Sequence, residues 1–272
     1  MPQSILIILL IIIVVYAGLS VYVQLVADSM IFYPHRAALP AGVDAIKLRI
    51  SDGTSISAVH LRDDSARYTL LYSYGNGEDV AADLPFLRDL QQAGFAVLAY
   101  DYPGYGMSSG RPSENGVYQA IDAAYEHLTT VAKVPPGRII AYGRSLGGAA
   151  AVDLAARQPV AALVMESSFV TAFRVMTRIP LLPFDKFKNI DKIKRVHCPV
   201  LFIHGTDDLT IPLWHGQALF SAANQPKQFV PIQGAGHNDL LQIAGSGYFQ
   251  ILNEFTASLP VTDSGQHERR SP

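Results

Sequence analysis

The residues that could do chemistry begin with a serine held between glycines, Gly143-x-Ser145-x-Gly147. The apolar, partly β-branched run Ile139-Ile140-Ala141-Tyr142 before it reads as a buried strand, and Gly148-Ala149-Ala150-Ala151 after it opens a helix expected to reach Arg157. A serine on so sharp a strand-to-helix turn must take a strained backbone conformation, and the flanking glycines let strand and helix close up. Its hydroxyl is thrust clear of the sheet. Unpaired N–H groups and the positive end of the helix dipole lie beside it, so the Leu146 amide is placed to stabilise negative charge developing there. That is the outline of a nucleophile site.

A serine nucleophile needs a base and a group to orient the base. The run Pro199-Val200-Leu201-Phe202-Ile203-His204 reads as a strand that ends in Gly205-Thr206-Asp207-Asp208. Carboxylates just past the C-terminal end of a strand sit where open α/β sheets form their ligand crevice, and one of the pair is expected to orient a histidine. Of the eight histidines, His215, His237 and His267 follow both the serine and the carboxylates, and with His267 in the polar tail only His215 and His237 fit the chain order this arrangement uses. His215 falls at a helix start and is expected to face solvent. His237 lies on the small-residue loop Gly234-Ala235-Gly236-His237-Asn238-Asp239, from which it can swing toward Ser145. A further backbone donor is expected from Gly75-Asn76-Gly77, where glycine on both sides of Asn76 allows close approach to the nucleophile turn.

These residues must be positioned by alternating strands and helices. Residues 45–61 alternate about Asp52-Gly53 as a hairpin, and residues 68–74, 94–101, 160–166 and 227–232 read as further strands. Helices are expected over residues 80–93, 114–131 (opened by Ser113) and 240–259. Residues 167–197 carry Phe169, Phe173, Phe184 and Phe187 among basic residues, too short a stretch for an elaborate lid but long enough to cover one side of a pocket. The chain of 272 residues thus reads as one α/β domain over residues 29–259, with a mostly parallel central sheet flanked by helices, followed by a polar, disordered tail over residues 260–272.

Residues 5–27 form an apolar run without a charge. As a helix it would extend about 34 Å, enough for a bilayer core, and residues 1–28 are read as a membrane anchor. A cleaved signal peptide is the rival, but its apolar region is shorter and is preceded by basic residues, and Met1 to Ser4 contain none. Arg36 and Lys47 beyond the run favour a cytoplasmic catalytic domain. A net charge of -2 with 16% charged residues gives no basic face for nucleic acid. The single cysteine, Cys198, forbids an intrachain disulfide and is expected to be a small core residue. The cluster Gly104-x-Gly106-x-x-x-Gly110 misses the dinucleotide spacing, and no metal-ligand spacing is present, so neither a cofactor nor a metal is expected.

Together, Ala99-Tyr100-Asp101-Tyr102-Pro103-Gly104-Tyr105-Gly106-Met107-Ser108-Ser109-Gly110-Arg111-Pro112-Ser113-Glu114, Gly143-Arg144-Ser145-Leu146-Gly147-Gly148, His204-Gly205-Thr206-Asp207-Asp208 and the His237 loop resemble the α/β-hydrolase superfamily. More narrowly, they resemble its membrane-anchored serine hydrolases, a branch that includes protein depalmitoylases. The likeness covers residues 31–255. It implies Ser145 as nucleophile, Asp208 as acid at the end of the pattern counted from His204, His237 as base, and the Asn76 and Leu146 amides as oxyanion donors. The chain departs from the family where His-Gly-Asn is usual, carrying Tyr74-Gly75-Asn76 instead. It also has an apolar helix where depalmitoylases tend to carry an N-terminal cysteine cluster. The implied activity is hydrolysis of an ester or thioester of a small or lipid-like acyl group; a serine peptidase and a catalytically silent anchored interaction protein are the alternatives.

Overall fold

The computed structural model describes residues 3–260, so the tail expected over residues 260–272 lies, apart from Pro260, outside the described residues. The β-branched and aromatic runs pair into an eight-stranded sheet in the order β1-β2-β4-β3-β5-β6-β7-β8. The hairpin is β1 (Ile46–Arg49) and β2 (Ser55–Leu61), paired antiparallel. β2 also pairs antiparallel with β4 (Ala96–Tyr100). From there the sheet is parallel through β3 (Thr69–Ser73), β5 (Ile139–Arg144), β6 (Ala162–Glu166), β7 (Val200–Gly205) and β8 (Lys227–Ile232). Every residue of β3, β4, β6 and β7 is buried, as unbroken apolar strands covered by helices on both faces must be.

The covering helices are α2 (Val80–Gln92), α3 (Glu114–Glu126), α4 (Gly147–Ala155), α5 (Ala172–Met176), α6 (Asn189–Lys192), α7 (Trp214–Ala222), α8 (Leu240–Ala244) and α9 (Ser246–Ala257). Asp79 caps α2 by accepting the Ala82 N–H at 2.8 Å, and Ser113 caps α3 by accepting that of Gly116 at 3.0 Å. α4 is buried along its whole length, which its run of glycine and alanine permits.

Three expectations need revising. The helix expected over residues 240–259 is broken, because Gly245 takes φ +55°, a conformation outside any helix, and separates α8 from α9. The helix expected over residues 114–131 is present across that range but changes type, α-helical in α3 and π-helical over residues 127–131. Of the four phenylalanines assigned to a covering segment, Phe169 and Phe187 lie in the core, where Phe187 packs edge-on against Phe32, Tyr118 and Phe169; Phe173 and Phe184 pair with each other outside it.

The apolar run forms α1 (Gln3–Ile31), 29 residues of mean hydropathy 3.0. At about 1.5 Å per residue it is long enough to cross a bilayer. Most of its large apolar side chains are exposed. The helix runs past residue 28 because its ladder continues, with the Phe32 N–H reaching the Asp28 carbonyl at 3.0 Å, and Phe32 is buried in the core.

Candidate active site

Ser145 occupies the turn between β5 and α4 with φ +52°, the left-handed region, which costs a non-glycine residue roughly 1–3 kcal/mol. The turn is held from three sides. The Ser145 N–H donates to the Glu166 carbonyl at 2.8 Å, and the Ser145 carbonyl accepts the Ser168 hydroxyl at 3.0 Å and the Gly148 N–H at 3.1 Å. A Cβ on Gly143 would collide with the Gly147 backbone, and one on Gly147 with the Ser73 carbonyl, so both flanking glycines are required by close approach.

The loop after β8 brings His237 over this serine. His237 Nε2 lies 3.0 Å from Ser145 Oγ, and its Nδ1 lies 2.7 Å from Asp208 Oδ2. Asp208 is buried on the loop after β7, where its other oxygen accepts the Thr210 and Ile211 N–H groups at 2.9 and 2.7 Å. With its acceptors filled in this way, the network assigns Nδ1–H to the Asp208 side of the ring and leaves Nε2 to accept from the serine. Burial pushes the Asp208 carboxyl up, but the bond and charge of His237, with the Ile211 N–H and His204, outweigh it and hold the group below its usual value. The two loops are fastened together: the Asp207 N–H donates to the Ala235 carbonyl at 2.9 Å and the Gly234 N–H to Thr206 Oγ1 at 2.8 Å. Asp207 itself is exposed and accepts the Thr206 hydroxyl at 2.9 Å.

His215 does not face solvent as expected. It is fully buried, its Nδ1 accepting the Val170 N–H at 3.2 Å, because α7 packs its first turn beneath the segment that follows β6. Burial, aided by His204 and Arg174, pushes its pKa down to about 4 and keeps the ring neutral. His204, read as the end of a strand, proves to be a buried neighbour of Asp208. Its Nε2 donates to the Ile211 carbonyl at 2.7 Å and stands 3.6 Å from Asp208 Oδ2.

The Asn76 and Leu146 backbone N–H groups take no protein partner among the described residues. The loop that carries Asn76 runs beside the serine, for a Cβ on Gly75 would lie 3.5 Å from that of Ser145. Tyr74, standing in place of the usual histidine, anchors this loop differently. Its hydroxyl reaches Asp101 Oδ1 at 3.3 Å, and its carbonyl accepts the Tyr102 hydroxyl at 2.8 Å. A Cβ on Gly106 would strike the same Asp101 carboxylate, which accounts for glycine within the cluster that failed as a nucleotide loop. The Asn76 side chain binds the end of α1, donating to the Ile31 carbonyl at 2.6 Å and accepting the Tyr33 N–H at 3.0 Å. Asp79 likewise accepts the Ala37 N–H at 2.7 Å and pairs with His35 at 2.8 Å. Residues 31–37 therefore clamp the loop, a role with no local signal in the sequence.

On the other side of the serine, Arg144 joins three segments. Its guanidinium pairs with Glu78, stands 3.3 Å from Glu166 and donates to Asn238 Oδ1 at 2.9 Å, next to His237 in sequence. Glu166 also accepts the hydroxyls of Tyr142 and Tyr248. Arg144, Glu78, Glu166, Asn238 and Tyr248, with Tyr72 and Asp83, line a cavity of about 460 Å³ whose wall includes His237 but neither Ser145 nor Asp208. Burial and the charge of Glu78 push Asp83 up to about 7. Among the described residues no cluster of three His, Cys, Asp or Glu is arranged to hold a metal ion. Cys198 is a partly buried free thiol.

A mostly parallel sheet that presents a serine on a left-handed strand-to-helix turn, with an acid and a histidine following on later loops, defines the α/β-hydrolase fold. Solved structures agree. An esterase, Pf2001, from Pyrococcus furiosus superposes with TM-score 0.70 at 17% identity, over 83% of this chain and 96% of that one. Est1E from Butyrivibrio proteoclasticus, solved with ferulic acid bound, superposes with TM-score 0.65 at 19% identity, over 78% and 100%. Residues 64–190 match the family model described as serine aminopeptidase, S33. Alpha/beta hydrolase domain-containing protein 17B of Xenopus laevis is 40% identical over 219 residues, 79% of this chain and 75% of that protein. Protein 17C of Homo sapiens is 42% identical over 195 residues, 70% and 58%. The chain belongs to the α/β-hydrolase superfamily, in the family of the alpha/beta hydrolase domain-containing 17 proteins. It is a serine hydrolase of the esterase-like kind.

Proposed function

We propose that the protein cleaves a carboxylic ester or thioester of a small or lipid-like acyl group through an acyl-enzyme on Ser145, while tethered to a membrane by α1. The observation that carries this reading is the continuous line from Asp208 through His237 to Ser145, with contacts of 2.7 and 3.0 Å. His237 Nε2 takes the hydroxyl proton as Oγ attacks the acyl carbon. The imidazolium so formed is balanced by Asp208. The unpaired amides of Asn76 and Leu146 receive the carbonyl oxygen as it becomes an oxyanion. Collapse of the tetrahedral intermediate breaks the bond to the alcohol or thiol, which leaves with the proton from His237. Water, deprotonated by the same ring, then attacks the acyl-enzyme and frees the acid and Ser145.

The tether is supported by the length and apolar exposure of α1, and the placing of residues 1–28 as anchor and residues 29–259 as catalytic domain remains part of this proposal. The test is hydrolysis of a chromogenic acyl ester and a matched acyl thioester, with hydroxylamine to trap the acyl-enzyme. Ser145→Ala is expected to abolish turnover and trapping while leaving the melting temperature nearly unchanged. Undiminished turnover in that variant overturns the mechanism, and faster cleavage of a matched peptide amide than of the ester moves the substrate class to peptides.

A further inference from the structure

Arg144, the last residue of β5, immediately precedes Ser145 and touches both of the loops that serve it. Its Nη2 donates to Asn238 Oδ1 at 2.9 Å and lies 3.4 Å from the His237 carbonyl. Its Nη1 pairs with Oε1 of Glu78. The other oxygen of that carboxylate, Oε2, accepts the Gly75 N–H at 2.8 Å, one residue before the Asn76 amide proposed to receive the oxyanion. A Cβ on Gly75 would approach that oxygen to 2.9 Å, so the loop closes over Glu78 with glycine at this position.

Each loop also has a tie on its far side. The histidine loop is fastened to the Asp208 loop through Gly234 and Ala235, both ahead of His237, and the Asn76 loop is clamped to residues 31–37 by the side chains of Asn76 and Asp79. Arg144 and Glu78 supply the inner tie, beside the serine. Glu78 and Asn238 share no hydrogen bond among the described residues, so the guanidinium sets the spacing between them. A guanidinium is planar and holds its N–H groups in fixed directions, whereas an ammonium supplies charge without direction. The third nitrogen, Nε, stands 3.3 Å from Glu166 Oε1, which anchors this spacer to β6. Acyl transfer needs the base and the oxyanion donors aligned on one carbonyl, and a displacement of about 1 Å costs on the order of 10²-fold.

We infer that Glu78 and Arg144 are positioning residues, a pair that holds the Asn76 amide and the His237 ring at the mutual spacing the oxyanion transition state requires. The inference rests on the proposed acyl-enzyme mechanism. Both residues act through the backbone they hold rather than on the reacting atoms. Two consequences separate this role from packing alone. The tie matters where the oxyanion forms, so its loss lowers kcat and leaves KM nearly unchanged. One guanidinium serves both loops, so freeing it at Glu78 also loosens its hold on Asn238, and the two losses are not independent.

The test uses the full chain in detergent micelles, with rates on 4-nitrophenyl acetate divided by active sites counted with a fluorophosphonate probe, so that unfolded protein does not contribute. Glu78→Ala is expected to lower kcat at least about tenfold with KM within about twofold, and to weaken by a similar factor a trifluoromethyl ketone, which takes the oxyanion form when serine adds to it. Asn238→Ala is expected to lose activity severalfold, and the double variant to lose no more than Glu78→Ala alone. Glu78→Gln keeps the shape and an acceptor for Gly75 but offers Arg144 no charge; its kcat is expected to fall between those of wild type and Glu78→Ala, and it carries the test if the alanine variant does not fold. An unchanged kcat in these Glu78 variants, a loss confined to KM, or single losses that multiply in the double variant overturns the positioning pair. Ser145→Ala reads the mechanism separately: turnover retained there refutes the acyl-enzyme, whereas an inactive Ser145→Ala beside a fully active Glu78→Ala refutes the positioning pair alone.

Discussion

Two acidic neighbourhoods flank Ser145, and they are built to opposite ends. Asp208 sits alone among donors: two backbone N–H groups on one oxygen, His237 on the other, and no second carboxylate in contact. Its charge is favoured and its pKa lies below the ordinary value. Glu78, Asp83 and Glu166 crowd around one guanidinium, two tyrosines complete the acceptors of Glu166, and Asp83 is pushed up to about 7. A carboxylate can stabilise an imidazolium only if it stays charged and has an oxygen free for the ring. Asp208 meets both conditions. Glu166, at the end of the neighbouring strand, is committed to Arg144 and the tyrosines and cannot stand in for it. The crowded side instead fixes geometry, because Arg144 holds Asn238 beside His237, the proposed base.

Substitutions on the two sides should separate these roles. Asp208→Asn leaves the shape but removes the charge partner of His237. By analogy with the serine proteases, turnover should fall by about 10⁴ with a modest change in melting temperature. Arg144→Gln should do the reverse in emphasis. It leaves buried carboxylates without a countercharge, so urea titration should report a loss of roughly 3 kcal/mol, and turnover should fall far less than for Asp208→Asn. An Arg144 variant as inactive as Asp208→Asn but fully stable would erase the distinction.

Smaller effects sharpen it. Asp207 adjoins Asp208, the proposed acid, but turns outward to Thr206, so Asp207→Asn should lower turnover less than tenfold. If its loss exceeds that of Asp208→Asn, the acid has been misassigned by one residue. Asp83 gives the faintest signal, in stability rather than rate. Its folded pKa of about 7 lies above the 3.8 usual for an aspartate, so the folded protein holds a proton that the unfolded chain releases. Stability therefore declines as pH rises across that interval. Asp83→Asn should flatten the decline in urea titrations at pH 4, 6 and 8; an unchanged slope would place the titrating group elsewhere.

How much of this is legible in the chain follows from how local each feature is. The nucleophile turn is written within five residues, since the glycines either side of Ser145 are dictated by contacts to their near neighbours in the turn and to the adjacent strand. The order of serine, carboxylates and histidine is legible because each follows a readable strand. The choice between Asp207 and Asp208 is not, as two adjacent turn residues differ only in where the backbone aims them. The burial of His215 depends on α7 docking beneath Val170, 45 residues away, which no periodicity reveals. Nor does any pattern foretell that Arg144 meets Glu78 and Asn238, or that Tyr16 meets Leu181, 165 residues on. The break at Gly245 is different: Gly245-Ser-Gly247 is a visible breaker inside an otherwise helical run, and the signal was there to use.

The account turns on Ser145 being activated by His237 and Asp208, and covalent labelling measures that directly. A fluorophosphonate probe incubated with the full chain should give one adduct per molecule, located by peptide mass on Ser145. Labelling should be lost in Ser145→Ala, slowed by orders of magnitude in Asp208→Asn, and close to wild type in Asp207→Asn. Absence of an adduct on the folded wild-type protein, or an adduct on a different serine that persists in Ser145→Ala, would contradict the assignment of this site as a working serine hydrolase centre.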